Sequence, residues 1–211
     1  VLDSVVQVTN TDLTISNTRF ENLNATALAV GGDATVQVSD CVFSSLQSDQ
    51  GAAITAQGGQ LTVEQSVFTD NVALTGAGGA IWASGVDVTV SDSRFEGQIA
   101  LLDGAAMYAT NSDVVLTDNH LYSNQVVRHG GAVYVDGLST VSSQRNLYCG
   151  NVDSGALGLA GALGVSGNTP LQSLNDRFVD NESGGGGAGS GVAAAQEFYR
   201  KNSPKMALAA E

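Results

Sequence analysis

Asp92 and Asp118 are the carboxylates best placed to act together. They lie 26 residues apart, and a chain returning on itself at that period would bring them to about 5 Å. A pair at that separation could share a cation such as calcium. One period earlier and one later the matching positions carry Gln65 and Gln144. Two carboxylates flanked by amides make a poor oxygen cage, so no metal site is assigned. Arg19, Arg94 and Arg177 recur just before large apolar residues, but each is three periods from the next, roughly 14 Å, and they cannot converge on one sugar. His120 falls in the same column, and His129 precedes Gly130 and Gly131. Neither histidine has a serine or cysteine nucleophile at a recognisable spacing, and both are expected in exposed loops. No catalytic residue and no cofactor-binding residue is assigned.

Cys41 and Cys149 would fall in the second and sixth coils of a stacked repeat. Four coils amount to about 19 Å, well beyond the roughly 7 Å Cα separation a disulfide spans. Two free thiols are therefore expected, with an intermolecular bond left open. Asn24-Ala25-Thr26 and Asn181-Glu182-Ser183 match the glycosylation sequon, which matters only in a eukaryotic secretory pathway. Thr14, Thr62 and Thr89 share a column that could suggest an ice-binding face, but Gln37, Val115, Val141 and Gln172 interrupt it.

These positions depend on a repeat. The 211 residues include 26 glycines and two prolines, with 43% hydrophobic residues, so the chain can bury a core yet must turn often. A formal charge of −13 disfavours nucleic acid and anionic membrane surfaces as partners. No apolar run approaches the roughly 18 residues a membrane span requires, and no direct membrane insertion is expected.

Aligning the large apolar residues Phe20, Phe43, Phe68, Phe95, Leu121, Leu147 and Phe178 gives spacings of 23, 25, 27, 26, 26 and 31. Before each comes a short alternating segment, such as Leu13-Thr14-Ile15, Val36-Gln37-Val38, Leu61-Thr62-Val63 or Val88-Thr89-Val90, which reads as a strand. After each comes a second one: Ala27-Leu28, Ala53-Ile54, Ala80-Ile81, Ala106-Met107, Ala132-Val133 and Ala162-Leu163. Between the first strand and the aromatic lies a polar turn whose second position is Asn17, Asp40, Gln65, Asp92, Asp118, Gln144 or Asn175. Such residues favour turns, and stacked amides can bond to the copies above and below. A unit of this size cannot bury its apolar face alone, whereas stacked units share one core. The fold expected is all-β: a right-handed, single-stranded parallel β-helix of about seven coils, adding about 4.8 Å per coil.

Phe68-Thr69-Asp70-Asn71 followed by Gly78-Gly79-Ala80-Ile81 resembles the paired FxxN and GGA(I/L/V) motifs of the chlamydial polymorphic outer membrane protein family. Phe178-Val179-Asp180-Asn181 keeps the first motif, Leu121-Tyr122-Ser123-Asn124 keeps it with leucine, and Gly130-Gly131-Ala132-Val133 keeps the second. Gly51-Ala52-Ala53-Ile54 and Gly104-Ala105-Ala106-Met107 are near matches, while the segments opened by Phe20, Phe43 and Phe95 depart at the asparagine. The resemblance covers residues 11 to about 192. It implies a secreted, surface-exposed adhesive β-helix corresponding to the passenger part of such a protein, or a relative carrying the same repeat.

Residues 1–192 are read as the β-helix, with 1–10 a partial first coil and 184–191 a glycine-rich loop. Residues 193–211 are read as an irregular or helical cap or docking tail, because Ala193 to Asn202 has helix-forming composition before Pro204. A start at Val1 in mid-coil fits either a removed leader or a fragment. The function expected is a non-enzymatic, secreted or cell-surface structural or adhesive module whose partners are other proteins or surface glycans. One alternative is a polysaccharide lyase or hydrolase of the pectin lyase-like fold, needing an acidic cluster on one face. A second is a filament subunit that assembles with like or unlike chains through the solenoid ends.

Overall fold

The computed structural model describes residues 4–156, 158–184 and 192–194. The backbone is all-β, wound into four parallel sheets of eight, seven, seven and six strands among the described residues. The third full coil shows the unit. Ile54–Gln57 belongs to sheet I, Gln60–Glu64 to sheet II, Val67–Thr69 to sheet III and Val72–Ala73 to sheet IV. Each strand pairs only with its counterparts one coil before and one coil after.

Alternation along these strands decides what is inside. Sheet I points Leu28, Ile54, Ile81, Met107, Val133 and Leu163 inward in one continuous register. Sheet II does the same with Val36, Leu61, Val88, Val114, Val141 and Leu171. Sheet III supplies the aromatic column. Phe20, Phe43, Phe68 and Phe95 stack with centroid separations of 5.1, 4.9 and 4.4 Å and nearly coplanar rings. Those separations match the spacing between neighbouring strands, so the rings stack because the backbones do.

The sixth coil corrects the sequence alignment by one residue. Leu121 pairs with Tyr148, and Tyr148 with Phe178, while Leu147 pairs with His120 and Arg177 on the outer face. Tyr148 is fully buried and stacks on Phe178 at 4.9 Å. Its hydroxyl lies 3.1 Å from Ser143 Oγ, and Ser143 occupies the inward position that Leu116 holds one coil earlier. A buried phenol needs a polar partner, and the serine that looked like a lost core residue supplies it. Burial pushes the Tyr148 hydroxyl well above its ordinary pKa. Tyr148→Phe is expected to lower stability by about 1 kcal/mol, read as a shift in the urea midpoint; an unchanged or raised midpoint would show that the hydroxyl adds nothing there.

The same shift moves the turn. Asn17, Asp40, Gln65, Asp92, Asp118 and Asn175 all have left-handed backbone with φ between 49° and 59°, but in the sixth coil Arg145, not Gln144, takes this conformation at φ 55°. Gln144 ends the preceding strand, paired with Thr117 and Leu174. These turn side chains lie at the surface and do not form the stacked amide ladder.

The amide ladder is buried instead, at the bend between sheets III and IV. It runs Asn71, Gln98, Asn124, Asn151, Asn181, each at most 3% exposed. Asn124 shows the pattern: its Oδ1 accepts from the Gln98 backbone N–H at 3.0 Å, and its Nδ2 donates to the Phe95 carbonyl at 3.2 Å and to Asn151 Oδ1 at 2.8 Å. A second column, Ser66, Ser93, Asn119, Asn146, Asp176, serves the bend between sheets II and III. Backbone groups at a bend cannot all be satisfied by sheet pairing, and an unmet buried group is costly; the ladders supply the missing partners. Asn181, read as a glycosylation sequon, sits in the first ladder with its Nδ2 bonded to the Tyr148 carbonyl at 3.0 Å, so it is inaccessible to a glycosyl donor. Asn24 is exposed.

Val192–Ala194 forms an eighth sheet I strand on Leu163–Val165, so strand structure continues past residue 192 into the segment expected to be a tail. The rest of the expected cap or helix, 195–211, and most of the glycine-rich loop, 185–191, lie outside the described residues.

Candidate ligand-binding face

Three large aromatics follow the inward residues of sheet I by one position and so lie on its outer side, Trp82 and Tyr108 half-buried and Tyr134 covered to 5% exposure. Trp82 pairs with Tyr108, and Tyr108 with Tyr134. The next residue in this column is Gly164. Its missing side chain makes room for the Tyr134 ring, since a Cβ there would lie 2.8 Å from Tyr134 Cδ2. The two tyrosine rings are 6.3 Å apart and 18° from parallel, and His129 stacks on Tyr134 at 5.3 Å.

Charged groups border this ladder on both sides. Along one edge Asp136 accepts the Tyr108 hydroxyl at 3.2 Å from each carboxylate oxygen. Burial first, then the Asp136 charge, pushes the Tyr108 hydroxyl up to about 12. Along the other edge Asp103, whose side chain is only 2% exposed, is held by Arg128 Nε at 2.9 Å and by Arg128 Nη2. His129 Nδ1 lies 3.0 Å from Oδ1 of the same carboxylate, the oxygen that Arg128 Nε also reaches. The fork of Arg128 matches a carboxylate bidentately, giving the buried Asp103 side chain the hydrogen-bonded partner that burial of such a group requires. The Asp103 hydrogen bond in turn raises the Arg128 pKa.

Asp153 lies beneath the same corner, fully buried, in the inward column of sheet IV that holds Ala73, Ala100 and Val126 in earlier coils. Burial raises its pKa, opposed by the Gly155 N–H bonded to Oδ1 at 3.0 Å and by His129. Among the described residues its Oδ2 has no hydrogen-bond partner.

Tyr108 and Tyr148 stay protonated in the folded state above the ordinary tyrosine pKa of 10.0, whereas the unfolded chain ionises there. Stability is therefore expected to fall as pH rises through the ordinary tyrosine value. Tyrosinate absorbance of the native protein should lag that of the urea-unfolded chain, and Tyr108→Phe should remove part of the lag. Coincident titration curves would contradict the buried hydroxyls.

The family described as right handed beta helix region matches residues 4–170. The chain belongs to the right-handed β-helix family. No curated protein and no solved structure matches it.

Within this right-handed β-helix the residues singled out from sequence fall in several places. Asp92 and Asp118 do share a turn column, but Arg145 in the next coil pairs with Asp118, its Nε at 2.8 Å and Nη2 at 2.6 Å, and holds that carboxyl below its usual range. An arginine therefore stands where an amide was expected. Among the described residues no three His, Cys, Asp or Glu side chains cluster to hold a metal. Arg19 and Arg94 pair with Glu21 and Glu96 in their own strands, and Arg177 lies on the same outer face of sheet III, in register with Leu147. His120 is exposed but sits in the strand His120–Tyr122, not a loop. His129 departs furthest from expectation: it is packed between Asp103 and Tyr134 and only 22% exposed. Cys41 is buried, Cys149 half-buried, and both are free thiols.

The aromatic ladder was within reach of the sequence. Trp82, Tyr108 and Tyr134 each follow the apolar residue of the second motif directly, and strand alternation turns that position outward. The Asp103–His129 contact carried no such signal, because both residues lie in irregular loops between sheets IV and I.

Proposed function

We propose that this β-helix is a non-enzymatic, secreted or cell-surface adhesive module that binds glycan chains along the outer face of sheet I. The observation that carries this reading is the half-buried outward pair Trp82 and Tyr108, continued by the buried Tyr134, with Asp136 at its edge. Aromatic faces accept the apolar faces of sugar rings, and neighbouring polar groups fix their hydroxyls, the usual composition of a specific small-ligand surface. A rigid sheet holds these groups in place, which lowers the ordering cost of binding. The resemblance of Phe68-Thr69-Asp70-Asn71 and Gly78-Gly79-Ala80-Ile81 to the polymorphic outer membrane protein repeats supports the surface location and the adhesive role. The charge of −13 supports a partner other than nucleic acid.

One observation favours a second reading, polysaccharide cleavage. Asp103 bonds Nδ1 of His129, which leaves the other ring nitrogen as a candidate general base beside the aromatic ladder. A glycan array combined with a polysaccharide turnover screen, with and without calcium, separates the two. Binding without turnover is the expected result. Turnover lost in His129→Gln would replace the adhesive reading with the enzymatic one.

A further inference from the structure

Resting on the glycan-binding reading above, we infer that the ladder's ligand is a glycan with free amino groups, an unacetylated hexosamine polymer, rather than a neutral or acidic one. Asp136 is half-buried at the edge of the ladder, and the one side-chain donor it holds among the described residues is the Tyr108 hydroxyl. A carboxylate has about four acceptor sites, so Asp136 has capacity for further donors from a ligand lying across Tyr108. Among the described residues no arginine pairs with it. Arg128, the basic side chain on the far edge, is already engaged bidentately by Asp103. A uronate, sulfate or sialate would therefore meet a carboxylate at one edge and a neutralised guanidinium at the other, on a chain carrying −13 overall. An ammonium meets the opposite conditions. It is attracted by the general field, forms a charge-assisted hydrogen bond with Asp136, and is favoured over the faces of Trp82 and Tyr108. The raised Tyr108 pKa, partly due to the Asp136 charge, is consistent with an uncompensated negative group at this edge.

The test is calorimetric titration of the full chain with three oligosaccharides of equal length: glucosamine, N-acetylglucosamine and galacturonate oligomers, at a pH where the free amine is charged. The glucosamine oligomer is expected to bind at least about tenfold more tightly than its N-acetylated form, the scale of one charge-assisted hydrogen bond, and the galacturonate oligomer most weakly. Asp136→Asn, which keeps the shape and the Tyr108 contact, should remove the preference, while Trp82→Ala should weaken all binding. Equal or tighter binding of the N-acetylated or galacturonate oligomer, with Trp82→Ala still weakening it, would overturn the amino-sugar inference and leave the ladder as the binding face. No binding of any oligomer, or binding insensitive to Trp82→Ala, would overturn both.

Discussion

Replacing Phe68 with alanine is expected to lower the free energy of unfolding by about 3–5 kcal/mol, a loss that moves the denaturation midpoint far outside experimental scatter. Phe68 is fully buried, with Phe43 at 4.9 Å on one side and Phe95 at 4.4 Å on the other. Truncation removes the transfer free energy of the ring and leaves a cavity that strand pairing above and below prevents from collapsing. The matching change at Phe178 should cost less, because that ring is only partly buried and packs against the edge of the core. A comparable loss at both positions would mean that the column is not a graded stack with its tightest packing at the centre. Phe68→Leu should recover a good part of the loss, because the fifth coil already uses Leu121 at this position.

Asn124→Ala is expected to cost about 2–4 kcal/mol, from at least two buried backbone groups losing their partners at roughly 1–3 kcal/mol each. The Gln98 N–H would lose its acceptor, and the Phe95 carbonyl and Asn151 Oδ1 would each lose a donor. Asn124→Asp separates hydrogen bonding from packing. It keeps the volume but cannot donate when ionised, and it sets a carboxylate against the two oxygens that the amide now serves. It should therefore be at least as destabilising as alanine at neutral pH and should recover as pH falls and the carboxyl protonates. An aspartate variant as stable as the parent would contradict the ladder.

How far each feature could be read in advance follows from where its partners lie. The phenylalanine column and the inward faces of sheets I and II were legible because apolar character and period fall on the same residues. The sixth coil misled at Leu147, since an apolar residue directly precedes Tyr148 while the inward position of the preceding strand carries Ser143. Only the pairing of that serine with the phenol explains both departures. The turn column was placed correctly in six of its seven positions, with Arg145 in the seventh, but its role was not what the amides suggested. Side chains leaving a left-handed turn point to solvent, and the amides that bond from coil to coil are the buried ones of the FxxN positions at the next bend, together with Asn119 and Asn146 just after the turn. A single polar residue suggests exposure; burial of Asn71, Asn124 and Asn181 becomes intelligible only once their partners a full coil away are known. The same separation hid the Asp103, Arg128 and His129 group, whose members come from loops of two successive coils. The aromatic ladder, in contrast, needs only the strand register and alternation.

Trp82 is the one tryptophan of the chain and stands in the ladder itself, so its emission reports directly on the face assigned to ligand binding. The decisive measurement is a fluorescence titration of the unlabelled protein with the glycans retained on an array. The glycan-binding account predicts a saturable change in Trp82 emission with the same midpoint as binding measured by calorimetry, and loss of that binding in Tyr108→Ala. Glycan binding with Trp82 emission unchanged and Tyr108→Ala unaffected would place the ligand elsewhere on the β-helix and contradict the account.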